Sequence, residues 1–222
     1  MLLSGEKMPK ETFFNLKEEK QERILRCAIS EFREHGFSGA NVGTIAGKAG
    51  VAKGSMYQYF YDKNELFTYC VKWAVSYLMD KANAEVSSTA GDMFEYFSSD
   101  ISAGVRLVRE EKDLSFFTQD VFLGKFKTMP DDAASEMMKI ADDYTIRLIR
   151  AEQAKGNIRS DIDEELLKIF ILGASLKIKE HVLIEAEKSG FDISDERMKN
   201  FKAIIENMVD MLKNGIGSKE GK

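Results

Sequence analysis

The sequence predicts an all-α protein of about nine helices, divided between a small N-terminal part and a larger C-terminal part. Apolar residues recur at helical spacing along almost the whole chain, whereas the polar–apolar alternation of strands is nearly absent. Proline occurs only at Pro9 and Pro130, so almost nothing interrupts helices between them. The 222 residues, 44% of them hydrophobic, are enough for one large or two small well-filled cores.

Three helices are predicted in the N-terminal part. The first starts after Asn15, in a capping box with Glu18, and ends at Gly36. Two short helices follow over 41–49 and 52–59, with a glycine between them. The apolar residues that precede the first helix are candidates to pack on it, namely Phe13, Phe14 and Leu16.

The C-terminal part is predicted to be helical almost throughout. A long fourth helix, capped by Asp62 or Asn64, reaches about Val86, and a loop is predicted over 87–91. The tail from Gly215 is rich in Gly, Ser and Lys and is expected to fray. The remaining helices are predicted over 92–111, 113–128, 131–155, 163–188 and 195–213.

Two short helices with Gly50 at their joint are the arrangement of a helix-turn-helix. Its geometry requires the first short helix to brace the second. The bracing surface is predicted to consist of Ile45, Ala46, Ala49 and Val51, packed on Met56 and Phe60. The other residues of the second short helix then point outward or along the edge of the core: Lys53, Gly54, Ser55, Tyr57, Gln58 and Tyr59.

This outward set has the chemistry of a DNA-contacting surface. Lysine and tyrosine hydroxyl groups reach phosphate oxygens, glutamine pairs with adenine in the major groove, and Gly54 permits close approach of the backbone. The formal charge from Lys17 to Lys63 is +2, with eight basic and six acidic residues, against −5 for the whole chain. A slightly basic end on an acidic body favours local contact with double-stranded DNA. We therefore expect residues 38–63 to place Lys53–Tyr59 in a major groove.

The segment Val51–Phe60, followed by Lys63 and Leu66, resembles the recognition segment of the tetracycline-repressor (TetR) family. The resemblance covers about 50 of the 222 residues. It implies a homodimeric, all-helical transcriptional regulator, usually a repressor, that a small ligand releases from its operator. The first two helices of the family are matched by Phe32, Gly36, Phe37, Ile45, Ala46, Ala49, Gly50 and Val51.

The resemblance also implies which residues contact DNA. The second helix is expected to contribute Asn41 and Thr44, and Lys63 is expected to hold a phosphate at the start of the fourth helix, where a helix N-terminus favours an anion. Other roles stay open for three residues, because Tyr57 and Tyr59 also suit the edge of a core, and Lys63 a solvated helix start. The third helix is expected to contribute Lys53, Gly54, Ser55, Tyr57, Gln58 and Tyr59.

Some residues depart from the family pattern. Ala52 stands where the family often has a capping Ser or Thr, and Gln58 where it often has His. Gly43 and Gly47 lie inside the second helix, each at a cost of up to about 1 kcal/mol relative to Ala. The two glycines favour a soft second helix, and Gln58 bears on operator preference rather than on class.

In the TetR family the last two long helices pair with their copies in a four-helix dimer interface. The matching stretches here are 163–188 and 195–213, and the first carries more apolar residues than one core-facing stripe needs. We expect a homodimer through both stretches rather than an unusually thick single-chain core. Two copies also suit a palindromic operator, whose half-sites lie about 34–36 Å apart. The predicted division is an N-terminal extension 1–16, a DNA-binding domain 17–63, a ligand-binding and dimerisation domain 64–214, and a flexible tail 215–222.

The middle helices contain more aromatic and methionine side chains than the core of a domain of this size needs. They suit a mostly apolar cavity for a small apolar or amphipathic effector, although core packing is the alternative for each of them. Gln119, Arg147 and His181 are the candidate polar groups of this site. The expected ligand-binding residues are Phe94, Phe97, Phe116, Phe117, Gln119, Phe122, Met137, Tyr144, Arg147 and His181.

No motif in the sequence indicates an enzyme. The two histidines, His35 and His181, cannot form a His-rich metal cluster, and no glycine-rich phosphate loop, GxSxG elbow or HExxH occurs. We expect no catalytic residue, metal or cofactor. Cys27 and Cys70 are expected to be inert buried thiols. The lack of a secretory signal and of an apolar run of about 20 residues predicts a cytoplasmic protein with no membrane partner.

Two alternatives to a ligand-switched repressor follow from the same sequence. One is a constitutive dimeric DNA-binding factor whose C-terminal part only dimerises. The other is a helical interaction module that has lost DNA binding. The joint presence of Lys53, Tyr57, Gln58 and Lys63 speaks against the second alternative.

Overall fold

The structure, a computed structural model, describes residues 9–86, 107–190 and 196–216. No β-strand occurs in these ranges, so the predicted all-α class is confirmed. None of the helices in the described ranges combines the length and the apolar composition needed to span a membrane. The helices are α1 (Glu11–Phe14), α2 (Glu18–Gly39), α3 (Val42–Ala49), α4 (Lys53–Tyr59), α5 (Lys63–Val86), α6 (Lys112–Phe122), α7 (Asp131–Ala154), α8 (Glu164–Lys188) and α9 (Glu196–Ile216), and residues 107–110 are also helical.

Most of the predicted helices lie where the sequence places them. The bounds of α3, α4, α7 and α8 each agree with the prediction to one residue. The helix predicted over 113–128 is shorter, because α6 ends at Phe122 and Gly124 takes a left-handed conformation with φ of 64°. The loop predicted over 87–91 and most of the helix predicted over 92–111 lie outside the described residues.

The start of the first long helix differs from the prediction. Asn15 closes α1 instead of capping α2, and α2 begins at Glu18 without a side-chain cap. The predicted capping box is therefore wrong, because residues 11–14 form a helical turn of their own whose Phe13 is drawn into the core. At the other end Gly36 breaks α2 with φ of 69°, as its position predicts, and one further turn follows.

Packing divides the chain into two compact units. Among the described residues, one contains 9–77 and 113–138, and the other contains 78–86, 107–112, 139–190 and 196–216. Helices α5 and α7 therefore each contribute residues to both units. The predicted domain boundaries follow the sequence motif rather than the packing, and they stay a prediction.

Phenylalanine rings fill the core of the first unit. The ring centroid of Phe67 on α5 lies 4.9 Å from that of Phe32 on α2 and 5.4 Å from that of Phe117 on α6. Phe126, after α6, lies 5.3 Å from Phe67. Edge-to-face aromatic pairs of this kind contribute about 0.5–1.5 kcal/mol each beyond the area they bury. The rings therefore hold the segment 113–138 against the N-terminal helices.

The second unit has an aliphatic core built from α7, α8 and α9. Asp163 caps the start of α8, where its Oδ1 accepts hydrogen bonds from the backbone N–H groups of Glu165 at 3.0 Å and of Leu166 at 3.1 Å. The buried residues of this core are Ile149, Ile158, Leu167, Ile171, Ile205, Val209 and Leu212. One face of α8 and one face of α9 are therefore buried in the interior of this unit.

Candidate nucleic-acid interface

Helix α3 is closed at both ends by residues that the sequence marks. The side chain of Asn41 caps its start, because Oδ1 accepts hydrogen bonds from the backbone N–H groups two and three residues further on, at 2.7 and 3.4 Å. At its end Gly50 has φ of 68°, and the Val51 N–H donates to the Ala46 carbonyl at 2.9 Å. This is a Schellman arrangement, which glycine adopts without strain. The turn between α3 and α4 is thereby fixed.

Helix α4 packs on α3 with its apolar side inward. Met56 is 1% exposed and Phe60, directly after the helix, is 2% exposed. On α3, Ile45, Ala46 and Ala49 are buried. Their burial confirms these residues as part of the predicted bracing surface, whereas Val51, the fourth predicted member, is only half-buried.

The opposite side of α4 is open to solvent. Lys53, Gly54, Tyr57 and Gln58 are exposed, and Tyr57 keeps 46% of its surface accessible. Their spacing places them on one face of the helix. Ser55 is half-buried at the edge of this face. An ammonium group, a phenol, an amide and bare backbone on one face are the groups that contact phosphates and base edges.

Tyr59 does not belong to the exposed face. It is 7% exposed, and its ring lies edge-to-face against Phe13 with centroids 6.0 Å apart. Of the two roles that the sequence leaves open for this tyrosine, the structure supports the core, because a buried ring cannot reach DNA while α4 stays packed. Asn41 and Thr44 on α3 are exposed and remain candidates.

The two glycines inside α3 have different surroundings. A Cβ at Gly43 would lie 3.0 Å from Asn41 Oδ1 and 3.5 Å from Lys53 Cδ. The missing side chain therefore leaves room both for the cap of α3 and for the methylene stem of Lys53. Nothing lies within 4 Å of a Cβ built at Gly47, and no contact explains a glycine there.

An ion pair between a buried carboxylate and an exposed lysine joins α2 to α3. The carboxylate of Glu31, which is 2% exposed, accepts hydrogen bonds from Lys48 Nζ at 2.9 Å and from the Asn41 N–H at 3.3 Å. Burial by itself raises the pKa of Glu31, but these bonds and the positive charge of Lys48 outweigh it, and the pKa is lowered from its usual value. The bond to Glu31 raises the pKa of Lys48 in turn. Glu31 therefore stays ionised and holds the residue that caps α3.

The same corner contains a group of possible metal ligands. One ligand atom each of Glu31, Glu34 and His35 lies within 4.8 Å of the other two. Lys48 Nζ lies 2.9 Å from the Glu31 carboxylate and 3.7 Å from that of Glu34. The lysine thus supplies the positive charge that these carboxylates need.

The start of α5 is capped as its sequence predicts. Asp62 Oδ1 accepts a hydrogen bond from the Glu65 N–H at 2.9 Å, and the Glu65 carboxylate accepts one from the Tyr61 N–H at 2.5 Å. The two side chains therefore satisfy backbone donors on either side of the helix start.

Lys63, at the start of α5, binds backbone at the end of α2. Its Nζ donates to the Ser38 carbonyl at 3.1 Å and to the Ala40 carbonyl at 3.2 Å, and it lies 4.8 Å from the centroid of the Phe37 ring. This role in holding α2 was not foreseen from the sequence. The expected phosphate contact of Lys63 stays a prediction.

The N-terminal segment contacts the end of α4, which the motif did not predict. Phe13 is completely buried, and its ring centroid lies 5.0 Å from Phe60 and 5.7 Å from Tyr69. Its contacts with other aromatic rings thus include residues at the end of α4 and on α5, and its expected packing on α2 stays a prediction. Neighbouring Phe14 is 44% exposed. The only trace in the sequence is a pair of phenylalanines in a polar stretch.

The residues expected to bind a ligand differ in exposure and in the unit to which they belong. Phe94 and Phe97 lie outside the described residues. In the first unit, Phe116, Phe117, Gln119 and Met137 are buried and Phe122 is exposed. In the second unit, Tyr144 is half-buried, and Arg147 and His181 are exposed. Because Phe117 packs in the aromatic core, its burial is explained without a ligand, and the pocket stays a prediction.

The geometry of α3 and α4 defines the class of protein. A short helix closed at both ends, a fixed turn and a second short helix with an exposed polar face form a helix-turn-helix DNA-binding module. In such a module the second helix, here α4, is the recognition helix.

Comparisons with known proteins agree with this class. Residues 24–70 match the model of the family described as bacterial regulatory proteins, tetR family. The chain is 25% identical over 178 residues to the uncharacterized HTH-type transcriptional regulator YdgC of Bacillus subtilis, covering 80% of this chain and 88% of YdgC. It is 23% identical over 199 residues to the probable acrEF/envCD operon repressor of Escherichia coli K12, covering 86% of each.

Solved structures share the fold. The transcriptional regulator FadR from Bacillus subtilis, in complex with stearoyl-CoA, superposes with a TM-score of 0.63 at 18% identity, covering 88% of this chain and 98% of that one. The DNA-binding module of this chain thus matches that of the tetR family, and the full-length relatives that it resembles are transcriptional regulators.

Proposed function

We propose that the protein is a repressor that binds a palindromic operator as a homodimer and is released by a small apolar or amphipathic effector. The observation that carries the proposal is the exposed polar face of α4, with Lys53, Tyr57 and Gln58 on a helix that α3 braces. Exposure to water alone does not favour a tyrosine and a glutamine over smaller polar residues. Contact with a DNA duplex does, because both side chains can bind its polar surface.

The proposed DNA contacts follow from exposure. Lys53 and the hydroxyl of Tyr57 are placed to hold phosphates, and the amide of Gln58 is placed to contact a base edge. Gly54 leaves the backbone of α4 accessible between them. The proposed set is Asn41, Thr44, Lys53, Gly54, Ser55, Tyr57, Gln58 and Lys63. Because one module offers so few contacts, a second copy is needed to select one operator.

The outer faces of α8 and α9 support the dimer. Ile169 is 65% exposed and Phe170 is 47% exposed on α8, and Ile204 and Met211 are 48% and 62% exposed on α9. Both helices also bury their other side in the core of their own unit. An exposed apolar surface shared by two neighbouring helices is typical of a protein interface. A second copy of the same pair would cover it with a matching surface.

The relatives support the repressor role and the class of effector. The Escherichia coli relative is named a probable operon repressor, and the FadR structure holds stearoyl-CoA, which joins a long apolar chain to a polar head. For this protein, an effector of similar amphipathic character is proposed. The alternative, a constitutive dimeric factor, shares the DNA and dimer contacts and differs only in lacking the response to a ligand.

Operator binding is tested by a mobility shift on the DNA that flanks the gene. Lys53→Ala is expected to weaken binding uniformly across sequences and to reduce the slope of log affinity against log salt by about one. Lys139→Ala is the matched control, because Lys139 is also an exposed helical lysine but lies on α7. A wild-type protein without salt-sensitive preference for any palindromic fragment would show that the proposal is wrong.

The ligand switch is tested separately with the bound complex. Long-chain acyl-CoA, free fatty acids and small polar metabolites are added in turn, and both the mobility shift and the melting temperature are recorded. The proposal expects an apolar or amphipathic compound to raise the melting temperature and release the DNA. Release by none of them, with DNA binding intact, would favour the constitutive alternative.

A further inference from the structure

A segment that precedes the helix-turn-helix in the sequence donates hydrogen bonds to the C-terminal end of α4. A helix leaves its last four carbonyl groups without partners inside the helix. In α4 these are the carbonyls of residues 56–59. The helix has only seven residues and therefore forms few hydrogen bonds of its own. The N–H of Phe60 takes the first of them, the Met56 carbonyl, at 2.8 Å.

Two residues near the N-terminus supply donors for the other three carbonyls. Lys10 Nζ donates to the Tyr57 carbonyl at 2.9 Å, and the Lys10 N–H donates to the Tyr59 carbonyl at 2.9 Å. The hydroxyl of Thr12 donates to the Gln58 carbonyl. All four carbonyls of the last turn are therefore satisfied. Without these donors the last turn would depend on water, and so short a helix is marginal in water.

Phe13 fixes the segment that carries these donors. Its ring is fully buried between Tyr59 and Phe60 at the end of α4 and Tyr69 on α5, with centroid distances of 6.0, 5.0 and 5.7 Å. Burying a phenylalanine contributes on the order of 1.5–3 kcal/mol. The hydrogen bonds of Lys10 and Thr12 are thus made from an anchored segment.

The charge of Lys10 also complements this end of the helix. Its Nζ lies 3.9 Å from the centroid of the Tyr61 ring, which is 56% exposed. A cation beside the last carbonyls interacts favourably with the helix dipole, and a cation over an aromatic face is attracted by the ring. Both interactions keep the ammonium group at the end of α4.

We propose that residues Lys10–Phe14 are an external C-terminal cap that holds α4 in the conformation that contacts DNA. Lys10, Thr12 and Phe13 are then positioning residues for operator binding. Tyr57 and Gln58, whose carbonyls the cap holds, carry two of the side chains of the exposed face. Loss of the cap lets the last turn fray, and binding must then order it again. This inference rests on the DNA-binding function proposed above.

The test compares Thr12→Val with Thr12→Ser in the full-length protein. Thr12→Val removes one hydrogen bond and keeps the shape, whereas Thr12→Ser keeps the hydroxyl. Hydrogen exchange of the free protein is expected to be about fivefold faster in the last turn of α4 in Thr12→Val and unchanged in Thr12→Ser. Amides of α8, which lies in the other unit, report any general loss of stability.

Affinity for the operator fragment is measured on the same variants by fluorescence anisotropy over a salt series. Thr12→Val is expected to bind about fivefold more weakly with an unchanged salt slope, because a positioning hydroxyl releases no counterion. Thr12→Ser is expected to bind as wild type does.

Several results would overturn the inference. Unchanged exchange in Thr12→Val would show that the cap does not order α4, and faster exchange with unchanged affinity would show that the order has no bearing on DNA. A reduced salt slope would show that the variant loses a contact between a cationic side chain and a phosphate, and it would contradict a role of Thr12 limited to positioning. If the wild type binds no DNA, the proposed function fails, and the exchange measurement alone still decides whether the cap orders α4.

Discussion

The recognition module and the α8–α9 pair present opposite kinds of surface. In the module, charged and polar side chains satisfy the backbone, as Asn41 does at the start of α3 and Lys10 at the end of α4. The face that remains open there is polar. On α8 and α9 the exposed side includes large apolar residues such as Ile169 and Met211.

The difference shows what each region needs in order to function. The module is completed within one chain, because its helix caps, the ion pair of the buried Glu31 and the buried ring of Phe13 all come from the described residues of that chain. Its polar face is suited to a polar partner. Contact of the apolar α8–α9 surface with water is unfavourable, and covering it with another apolar surface lowers the free energy. The polar face therefore supports the proposed contact with DNA, and the apolar surface supports the proposed homodimer.

The largest expected effect tests whether the buried ring of Phe13 stabilises the helix-turn-helix module. Phe13→Ala leaves a cavity beside Phe60 and Tyr69, and we expect it to lower the free energy of unfolding by about 3–5 kcal/mol. Phe14→Ala, at the exposed neighbour, is expected to lower it by about 1 kcal/mol or less. Denaturant unfolding of both variants checks this, and equal losses would contradict the role assigned to Phe13.

The next effect tests whether the α8–α9 surface needs a second copy. Phe170→Glu places a charge on this surface, and we expect it to weaken dimerisation about a hundredfold, since a charge is costly to bury in an apolar interface. Sedimentation velocity over a range of concentrations measures the change. Glu187→Lys, at an exposed charge near the end of the same helix, is the control. A monomeric wild type would refute the dimer itself.

A smaller effect tests the ion pair between the buried Glu31 carboxylate and the exposed Lys48. Glu31→Gln is expected to lower the free energy of unfolding by about 1–3 kcal/mol at neutral pH, because Lys48 loses its charged partner. Glu22→Gln removes a pair with Arg26 whose side chains are 41% and 34% exposed, and it is expected to change the free energy of unfolding by less than about 0.5 kcal/mol. Equal effects would show that burial does not strengthen the Glu31 pair.

The pH dependence of the Glu31 effect has a defined sign. The folded-state pKa of Glu31 is lowered relative to the unfolded chain, whose glutamates titrate near about 4.3. The stabilisation is therefore present above the unfolded pKa and is lost as the pH falls through the lower folded pKa. We expect the difference between wild type and Glu31→Gln to shrink on acidification below about pH 4. Unfolding curves recorded between neutral and acidic pH measure this difference.

The smallest effect separates the two glycines of α3. Gly47→Ala is expected to raise the free energy of unfolding by about 0.5–1 kcal/mol, because alanine favours a helix and meets no neighbour there. Gly43→Ala is expected to give no such gain, because its Cβ would press on the Asn41 oxygen that caps the helix. Thermal unfolding of the pair checks the difference, and a similar gain at both positions would contradict it.

Much of the recognition module could be predicted because its determinants are local. Apolar spacing places α3 and α4, and Asn41 and Gly50 act on backbone groups within five residues of themselves. Local rules also failed where distant packing prevailed. Asn15 and Glu18 satisfy the capping pattern, yet the burial of Phe13 makes residues 11–14 a separate turn.

The contacts missed from the sequence join residues far apart along the chain. Lys10 and Tyr57 are 47 positions apart, and Lys63 and Ser38 are 25 apart. Such pairs produce no periodic pattern in the sequence. The residues next to a lysine in the sequence do not show whether it donates to a distant carbonyl or is solvated. The same limit applies to Tyr59, whose burial depends on a ring supplied by the N-terminal segment.

The all-α class, the helix-turn-helix and the polar composition of the exposed face of α4 could all be predicted from the order of the residues. These features depend on preferences that act within about one helical turn, which are written in residue spacing. The packed structure was needed to show that Tyr59 is buried, that Lys63 binds the end of α2, that Phe13 is buried beside α4, and that α8 and α9 leave apolar residues exposed. Those features depend on which distant surfaces meet, because burial and hydrogen-bond partners are properties of the packed chain rather than of a local segment.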